Sequence, residues 1–204
     1  MLAISGMNHG FFEILQGSKP TNGLVIQAIG PEQNLWGTEE AFTITPSFLW
    51  TGILAILASL AILVWSVRFA HTKHGATVLG LLFLWQFVVG GGIAAPVTFA
   101  PFVVIAATRI NQPLAWWRRV LPEGLRRGLA TIWPVTLAVG CASLLIGLFI
   151  AITGFVPGAS SDAAILTVCW AFVFGGGWGM FLLTYVAGFA HDIQQQNPVI
   201  SESS

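Results

Sequence analysis

The stretch ATVLGLLFLWQFVVGGGIAAPVTFAPFVVIAAT, residues 76–108, decides how this chain folds. It has no charged side chain, and at 33 residues it is longer than the roughly 20 apolar residues that a helix needs to cross a bilayer. Three consecutive glycines, Gly90 to Gly92, and two prolines, Pro96 and Pro101, interrupt it. Because glycine and proline both disfavour a continuous helix, we predict a membrane segment that is broken in its middle.

Two structures are compatible with this stretch. It is either one long kinked helix, or a hairpin of two short arms, residues 76–89 and 97–108, that turns at the glycines. Backbone that is not helical at membrane depth must be shielded by protein or water, so we expect other helices to pack around the break. Gln86 could bond across helices or face a cavity there. The positions that could line such a cavity are Gln86, Gly90, Gly91, Gly92, Pro96, Thr98 and Pro101.

The composition places the whole chain in the membrane class. Of its 204 residues 55% are hydrophobic and only 8% are charged, whereas about a quarter of the residues in a typical soluble domain are charged. The formal net charge is zero, which gives no indication of nucleic-acid binding. The two cysteines, Cys141 and Cys169, fall within apolar segments, and we predict that they are buried, inert thiols.

We therefore predict an all-α, multi-pass fold with five membrane segments, or four if the broken stretch is a single helix. The segments are residues 47–67, 76–89, 97–108, 129–155 and 163–190, and Pro134 lies near the start of the fourth. Before them, residues 1–46 are predicted to form an extramembrane arm with one or two short amphipathic helices, the first beginning at Asn8, His9 and Gly10. After them, His191 and Asp192 end the last helix, and residues 191–204 form a polar tail.

The positions of the basic residues predict the orientation. Five of the eight lie between Arg109 and Arg127, and basic residues in short loops are retained on the cytoplasmic side. We expect this loop and the carboxyl terminus to be cytoplasmic, in a prokaryotic inner or plasma membrane. The hairpin leaves one basic residue, Lys19, outside, whereas the single helix leaves two outside, Arg68 and Lys73. The count favours five segments by one residue.

The same loop, residues 109–127, is predicted to contain a short helix at the membrane surface. Leu114, Trp117 and Leu121 would share its apolar face, and Pro122 would stop it. An ordinary positive loop with a tryptophan anchor is the alternative. The side chains expected to contact lipid headgroups are Trp116, Trp117, Arg118, Arg119, Arg126 and Arg127.

Small residues recur every four positions on the last two spans, which is typical of helices that pack closely in lipid. The two sets are Ser143, Gly147 and Ala151, and Ala171, Gly175 and Gly179. We predict that they are helix contacts, within the chain or with a membrane-protein partner or second copy. A groove for a lipid, quinone or pigment is the alternative.

A metal site is conceivable at the helix ends. His71 and His74 follow the first span and His191 and Asp192 follow the last, and in the five-segment topology all four meet the cytoplasmic interface. The alternative is that they are polar residues that close helices. No span contains an ionisable residue away from its ends, so we expect no acid–base pair, proton relay or activated nucleophile.

These patterns favour a membrane protein that acts by helix packing, within itself or in a larger complex, and is not an enzyme. One alternative is a small carrier or channel that passes a neutral or apolar cargo through the break. A second is a metal-dependent membrane enzyme that uses the histidines. The expected partners are membrane lipids, a membrane protein or a second copy of the chain, and not nucleic acid. No cofactor is identified.

Overall fold

The computed structural model describes residues 1–30, 39–93, 95–110, 114–159 and 162–201. The chain is mostly helical and divides into two compact units, Met1–Asn111 and Gln112–Ser204. The first unit contains α1 (Leu2–Leu15), β1 (Val25–Ile29), β2 (Glu39–Phe42), α2 (Phe48–Arg68), α3 (Gly75–Val88), one turn of π-helix (Ala95–Phe99) and α4 (Ala100–Arg109). The second contains α5 (Ala115–Val120), α6 (Glu123–Thr153) and α7 (Ala163–Ser201).

Three helices, α2, α6 and α7, are long and apolar enough to cross a membrane. The two predicted arms of the broken stretch are apolar but shorter, with 14 residues in α3 and 10 in α4. The structure thus supports a helical membrane protein with three candidate spans, and it does not confirm a count of five.

The prediction of an all-α fold is wrong in the amino-terminal arm, where β1 and β2 form a two-stranded antiparallel sheet. Val25 and Gln27 are exposed while Ile26 and Ala28 are buried. This alternation has the two-residue period of a strand and not the 3.6-residue period of a helix. The segment is therefore a strand, and the second amphipathic helix that we expected does not form there. Ile26 pairs with Ala41 across the sheet.

The predicted helix in the arm exists, but Asn8, His9 and Gly10 lie in its middle rather than at its start. Its buried residues include Gly6, His9, Gly10 and Glu13, together with the apolar Leu2, Ala3 and Phe12. The first four of these follow the i, i+3, i+4, i+7 spacing of one helical face. The face that packs into the first unit therefore combines two glycines with two ionisable side chains.

Helix α1 packs along α2 through small residues. A methyl group added at Gly52 would lie 2.4 Å from the carbonyl oxygen of Gly10, and one added at Gly10 would lie 3.2 Å from Cβ of Ala55. The two backbones can approach this closely because neither glycine has a side chain. This contact brings the ionisable residues of α1 against a candidate span.

The broken stretch folds back on itself. A methyl group added at Gly80 in α3 would lie 3.7 Å from Cγ2 of Val104 in α4, and such a contact across 24 positions requires the chain to reverse. This finding favours the hairpin over one kinked helix. Helix α4 begins at Ala100 rather than at residue 97, and Pro101 occupies its first turn, where the missing amide hydrogen is not needed.

Residues 89–99, which we call the break, and the end of α3 before them share backbone hydrogen bonds with the end of β2 and the residues that follow it. The amide of Gly90 donates to the carbonyl of Phe42 over 2.9 Å, and the amide of Ile44 donates to the carbonyl of Val88 over 3.0 Å. Gly90 and Gly92 both have positive φ, of 96° and 86°. The predicted shielding of the break is thus provided partly by the sheet of the arm.

In the second unit, α6 begins at Glu123 rather than at residue 129. Its first turn carries a salt bridge from Arg127 to Glu123. Pro134 therefore lies inside the helix, and the prediction that it lies near the start is wrong. The helix ends at Thr153, after which Gly154 adopts the left-handed conformation, with φ of 61°.

Helix α7 is longer than predicted. It begins where the Asp162 carboxylate accepts the amide hydrogen of Ala164 over 2.8 Å, and it continues to Ser201. The prediction that His191 and Asp192 end it is wrong. Ile193 is fully buried, so the apolar face of the helix extends beyond these two polar residues.

Candidate functional site

A group of polar side chains is buried where α1, α2, α3 and the end of β2 surround the break. Each of them is no more than 6% exposed to solvent. We call this group the polar cluster, and its members are His9, Glu13, Thr43, Thr51, Ser59 and Gln86. Buried polar groups in proteins are normally paired by hydrogen bonds, so any unpaired atom in the cluster requires an explanation.

Glu13 is the outstanding member of the polar cluster. Its side chain has no solvent exposure, and neither carboxyl oxygen has a hydrogen-bond partner among the described residues. A methyl group added at Gly90 would lie 2.5 Å from Oε1 of Glu13 and 2.3 Å from Cγ2 of Thr51. The backbone of the break therefore lies directly against the carboxyl group, in a space that a larger residue would fill.

Burial determines the charge of this carboxyl group. Removal from water disfavours the ionised form and raises the pKa of Glu13 from 4.5 to about 9. Glu13 is consequently protonated and neutral at pH 7. A neutral acid is far less costly to bury than a carboxylate.

His9 lies one helical turn before Glu13 and connects the polar cluster to the surface. Its Nε2 is 3.2 Å from Oε2 of Glu39, whose side chain is 41% exposed. Its Nδ1 is buried and has no hydrogen-bond partner among the described residues. A methyl group added at Gly92 would lie 2.8 Å from Nε2 of His9, so the break also closes against the imidazole.

The remaining members of the polar cluster are largely paired with one another. Gln86 donates from Nε2 to Oγ of Ser59 over 2.9 Å, and Ser59 donates to the carbonyl of Ala55 over 2.7 Å. The hydroxyls of Thr43 and Thr51 are 3.2 Å apart. Gln86 thus makes the cross-helix bond that was one of its two predicted roles.

The residues predicted to line one cavity belong to two different features. Gln86 and the three glycines face the polar cluster. Pro96 and Pro101 instead line an apolar cleft of about 530 Å³ between α3 and α4, together with Phe83, Phe87 and Val104. Thr98 is exposed and is not among the residues that line the cleft.

The two predicted packing sets have different surroundings. On α6, a methyl group added at Gly147 would lie 2.9 Å from Phe174 of α7; Ala151 is buried, and Ser143 is half-buried. On α7, Ala171, Gly175 and Gly179 are exposed, and added methyl groups at the two glycines would meet open space. The glycine of α7 that contacts α6 is Gly177, against Leu144.

The predicted metal ligands are not assembled. No group of three or more His, Cys, Asp or Glu side chains within the described ranges could hold a metal ion. His191 lies against the Trp133 ring, with centroids 5.1 Å apart, and its Nδ1 is 3.5 Å from Oδ1 of Asp192. His71 and His74 lie between α2 and α3, in the first unit.

The loop of arginines and tryptophans contains the short helix that its sequence predicts. Leu114 and Leu121 are buried, and Trp117 stacks on Phe189 with ring centroids 4.8 Å apart. Trp116 is 62% exposed. Arg118 and Arg126 are half-buried, and Arg119 and Arg127 are exposed. Their contact with lipid headgroups stays a prediction.

Glu13 and His9 were not among the predicted site residues. Both lie in α1, outside the three candidate spans, so the expectation that the spans hold no acid–base pair stays a prediction. Both residues were assigned to an extramembrane arm because the surrounding sequence is mixed in polarity. The signal that could have found them is the spacing of Gly6, His9, Gly10 and Glu13. Two glycines on the same helical face indicate close packing, and close packing would bury the two ionisable residues between them.

A scan against models of protein families, a search of curated proteins and a search of solved structures found no match. Only the sequence and the structure of this chain therefore indicate what class of protein it is. Its three long apolar helices are consistent with an integral membrane protein.

Proposed function

We propose that this chain is a multi-pass membrane transport protein, not an enzyme, and that it binds a proton at Glu13. The observation that carries the proposal is the complete burial of this carboxyl group, unpaired among the described residues, between α2 and the break. Ionisable side chains within transmembrane segments typically mark ion pathways and proton relays. Glu13 is not in such a segment, but its helix α1 packs against the candidate span α2. Discontinuous helices commonly form the binding sites of transporters.

The break supports a role for the hairpin in transport. On one side its glycines lie against Glu13 and His9, and on the other Pro96 lines the apolar cleft. A cleft with apolar walls suits a neutral or apolar cargo. We propose that binding and release of the proton at Glu13 are coupled to movement of the break, and hence to the shape of the cleft.

The proposed topology has five membrane segments. The fold-back of α3 and α4 supports a hairpin, and the basic residues of the loop then place that loop and the carboxyl terminus in the cytoplasm. A prokaryotic inner or plasma membrane is part of the same proposal.

The experiment is a proton flux measurement on the full chain in liposomes that contain a pH-sensitive dye. We expect an imposed pH gradient to be dissipated by the wild-type protein and flux to fall to the level of empty liposomes for Glu13→Gln, which mimics a permanently protonated acid. Glu40→Gln, on the exposed side of β2, is the matched control and should retain wild-type flux. Equal flux in Glu13→Gln and wild type would contradict the proposal.

A second candidate is assembly with another membrane protein or a second copy of the chain through α7. Its support is the open space beside Gly175 and Gly179, where a second helix could approach closely. The flux measurement separates the two candidates, because a protein that acts by assembly alone does not depend on the protonation of Glu13.

A further inference from the structure

Glu13 has no contact with solvent, so a proton must reach it through another group. The group best placed to do this is His9, which lies four residues earlier on the same face of α1. Imidazole exchanges protons readily near neutral pH and has two nitrogen atoms that can act in turn.

The two nitrogen atoms of His9 lie in different surroundings. Nε2 is 3.2 Å from the carboxylate of Glu39, which reaches solvent. Nδ1 is buried and has no hydrogen-bond partner among the described residues. One side of the ring is therefore connected to the surface, and the other lies inside the protein.

The glycines of the break restrict what can pass along this route. Added methyl groups at Gly90 and Gly92 would lie within 3 Å of Glu13 and His9, respectively. The backbone thus covers both side chains closely.

Among the residues that the structure describes, few other ionisable groups can influence this pair. Helix α1 contributes His9 and Glu13 themselves, and β2 contributes Glu39 and Glu40, of which Glu39 contacts His9. Strand β1, helix α3 and the break contain no ionisable side chain, and α2 has one, Arg68, at its last residue. The route from solvent to Glu13 consequently has one acid at its outer end and one imidazole in its middle.

The geometry points to His9 as the proton relay between solvent and Glu13, with Glu39 as the outer proton collector; this inference rests on the proposed function. In the inward direction, protonated Glu39 gives its proton to Nε2 of His9 and returns to a carboxylate. The imidazolium releases its Nδ1 proton to the Glu13 carboxylate through a water molecule. The imidazole, which began with its proton on Nδ1, is left neutral with its proton on Nε2, and one proton has moved from solvent to Glu13. When Glu13 returns a proton to Nδ1, Nε2 releases its proton to Glu39, and the starting tautomer is restored.

The test is the rate at which Glu13 takes up a proton after a rapid drop in pH from above its pKa. Time-resolved infrared spectroscopy on the full chain in liposomes follows the C=O stretch of the protonated acid, and Glu13→Gln identifies that band. We expect His9→Gln to slow its appearance by about 100-fold while its final amplitude stays unchanged. Imidazole added to His9→Ala should restore part of the rate, which a purely structural role for His9 would not predict.

Glu39→Gln tests the relay at a half-exposed position where folding is not at risk. It should slow uptake in the same direction, and Glu40→Gln should not. A wild-type rate in both His9→Gln and Glu39→Gln would overturn the relay while leaving Glu13 as the proton site. Absence of the Glu13 band from the wild-type protein would instead overturn the proposed function and the relay together.

Discussion

Gly90→Ala is expected to lower the free energy of unfolding by about 3 kcal/mol, combining backbone strain with overpacking. The added methyl group would lie 2.3 Å from Cγ2 of Thr51 and 2.5 Å from Oε1 of Glu13, well inside contact distance. The positive φ of Gly90 adds strain, because a residue with a Cβ atom rarely adopts it. Equilibrium unfolding of the purified protein in detergent measures the loss.

Gly17→Ala is the matched control for this prediction. Gly17 also has positive φ, of 74°, but no atom lies within 4 Å of an added methyl group. Its substitution should cost about 1 kcal/mol, from backbone strain alone. Equal losses in the two variants would show that the close contact of the break with Thr51 and Glu13 does not exist.

The pH dependence of stability provides the second large effect. In the unfolded chain Glu13 loses its proton near pH 4.5, whereas in the folded protein it keeps the proton up to about pH 9. Between these values the folded state binds one more proton than the unfolded state, so stability falls as the pH rises. The free energy of unfolding should fall by about 1.4 kcal/mol for each pH unit between these two values. Above pH 9 Glu13 is ionised in both states and lowers it no further.

Glu13→Gln isolates this contribution, since glutamine has a similar shape and does not titrate. The difference in unfolding free energy between wild type and Glu13→Gln should change in favour of the variant as the pH is raised from 5 towards 9. A difference that is constant across this range would mean that Glu13 has the same pKa in both states.

The membrane class and the broken stretch could be predicted from sequence because both depend on local composition. A run of twenty or more apolar residues is seldom anything other than a membrane-spanning helix. Gly90 to Gly92 and Pro96 interrupt any helix that contains them. The fold-back was one of two predicted structures. The charges favoured it by only one residue, because the contact of Gly80 with Val104 depends on packing and not on charge.

The polar cluster could not be predicted in the same way, because its members come from four separate parts of the sequence. Thr43 follows β2, Ser59 lies in α2 and Gln86 lies in α3, and each is unremarkable in its own segment. Glu13 lies in a helix that is too short to span a membrane, and its local sequence does not indicate that it is buried. The charge state of such a residue depends on what packs around it, and for Glu13 that is a glycine 77 positions later in the chain.

Helix boundaries were missed for similar reasons. His191 and Asp192 have the composition of a helix end, but burial of Ile193 continues α7 beyond them. Pro134 suggested a helix start, whereas Glu123 and Arg127 form a first turn well before it. In both cases a contact between side chains extends the helix beyond the boundary that local composition indicated.

The protonation state of Glu13 is the most direct test of the central claim, and equilibrium infrared titration of the full chain in liposomes measures it. The difference spectrum between wild type and Glu13→Gln isolates the signal of this one carboxyl group. The structure predicts the C=O band of a protonated acid at pH 7, which should disappear with a midpoint of about pH 9. A carboxylate signal at pH 7, with a midpoint near 4.5, would show that Glu13 is solvated and would contradict the buried proton site.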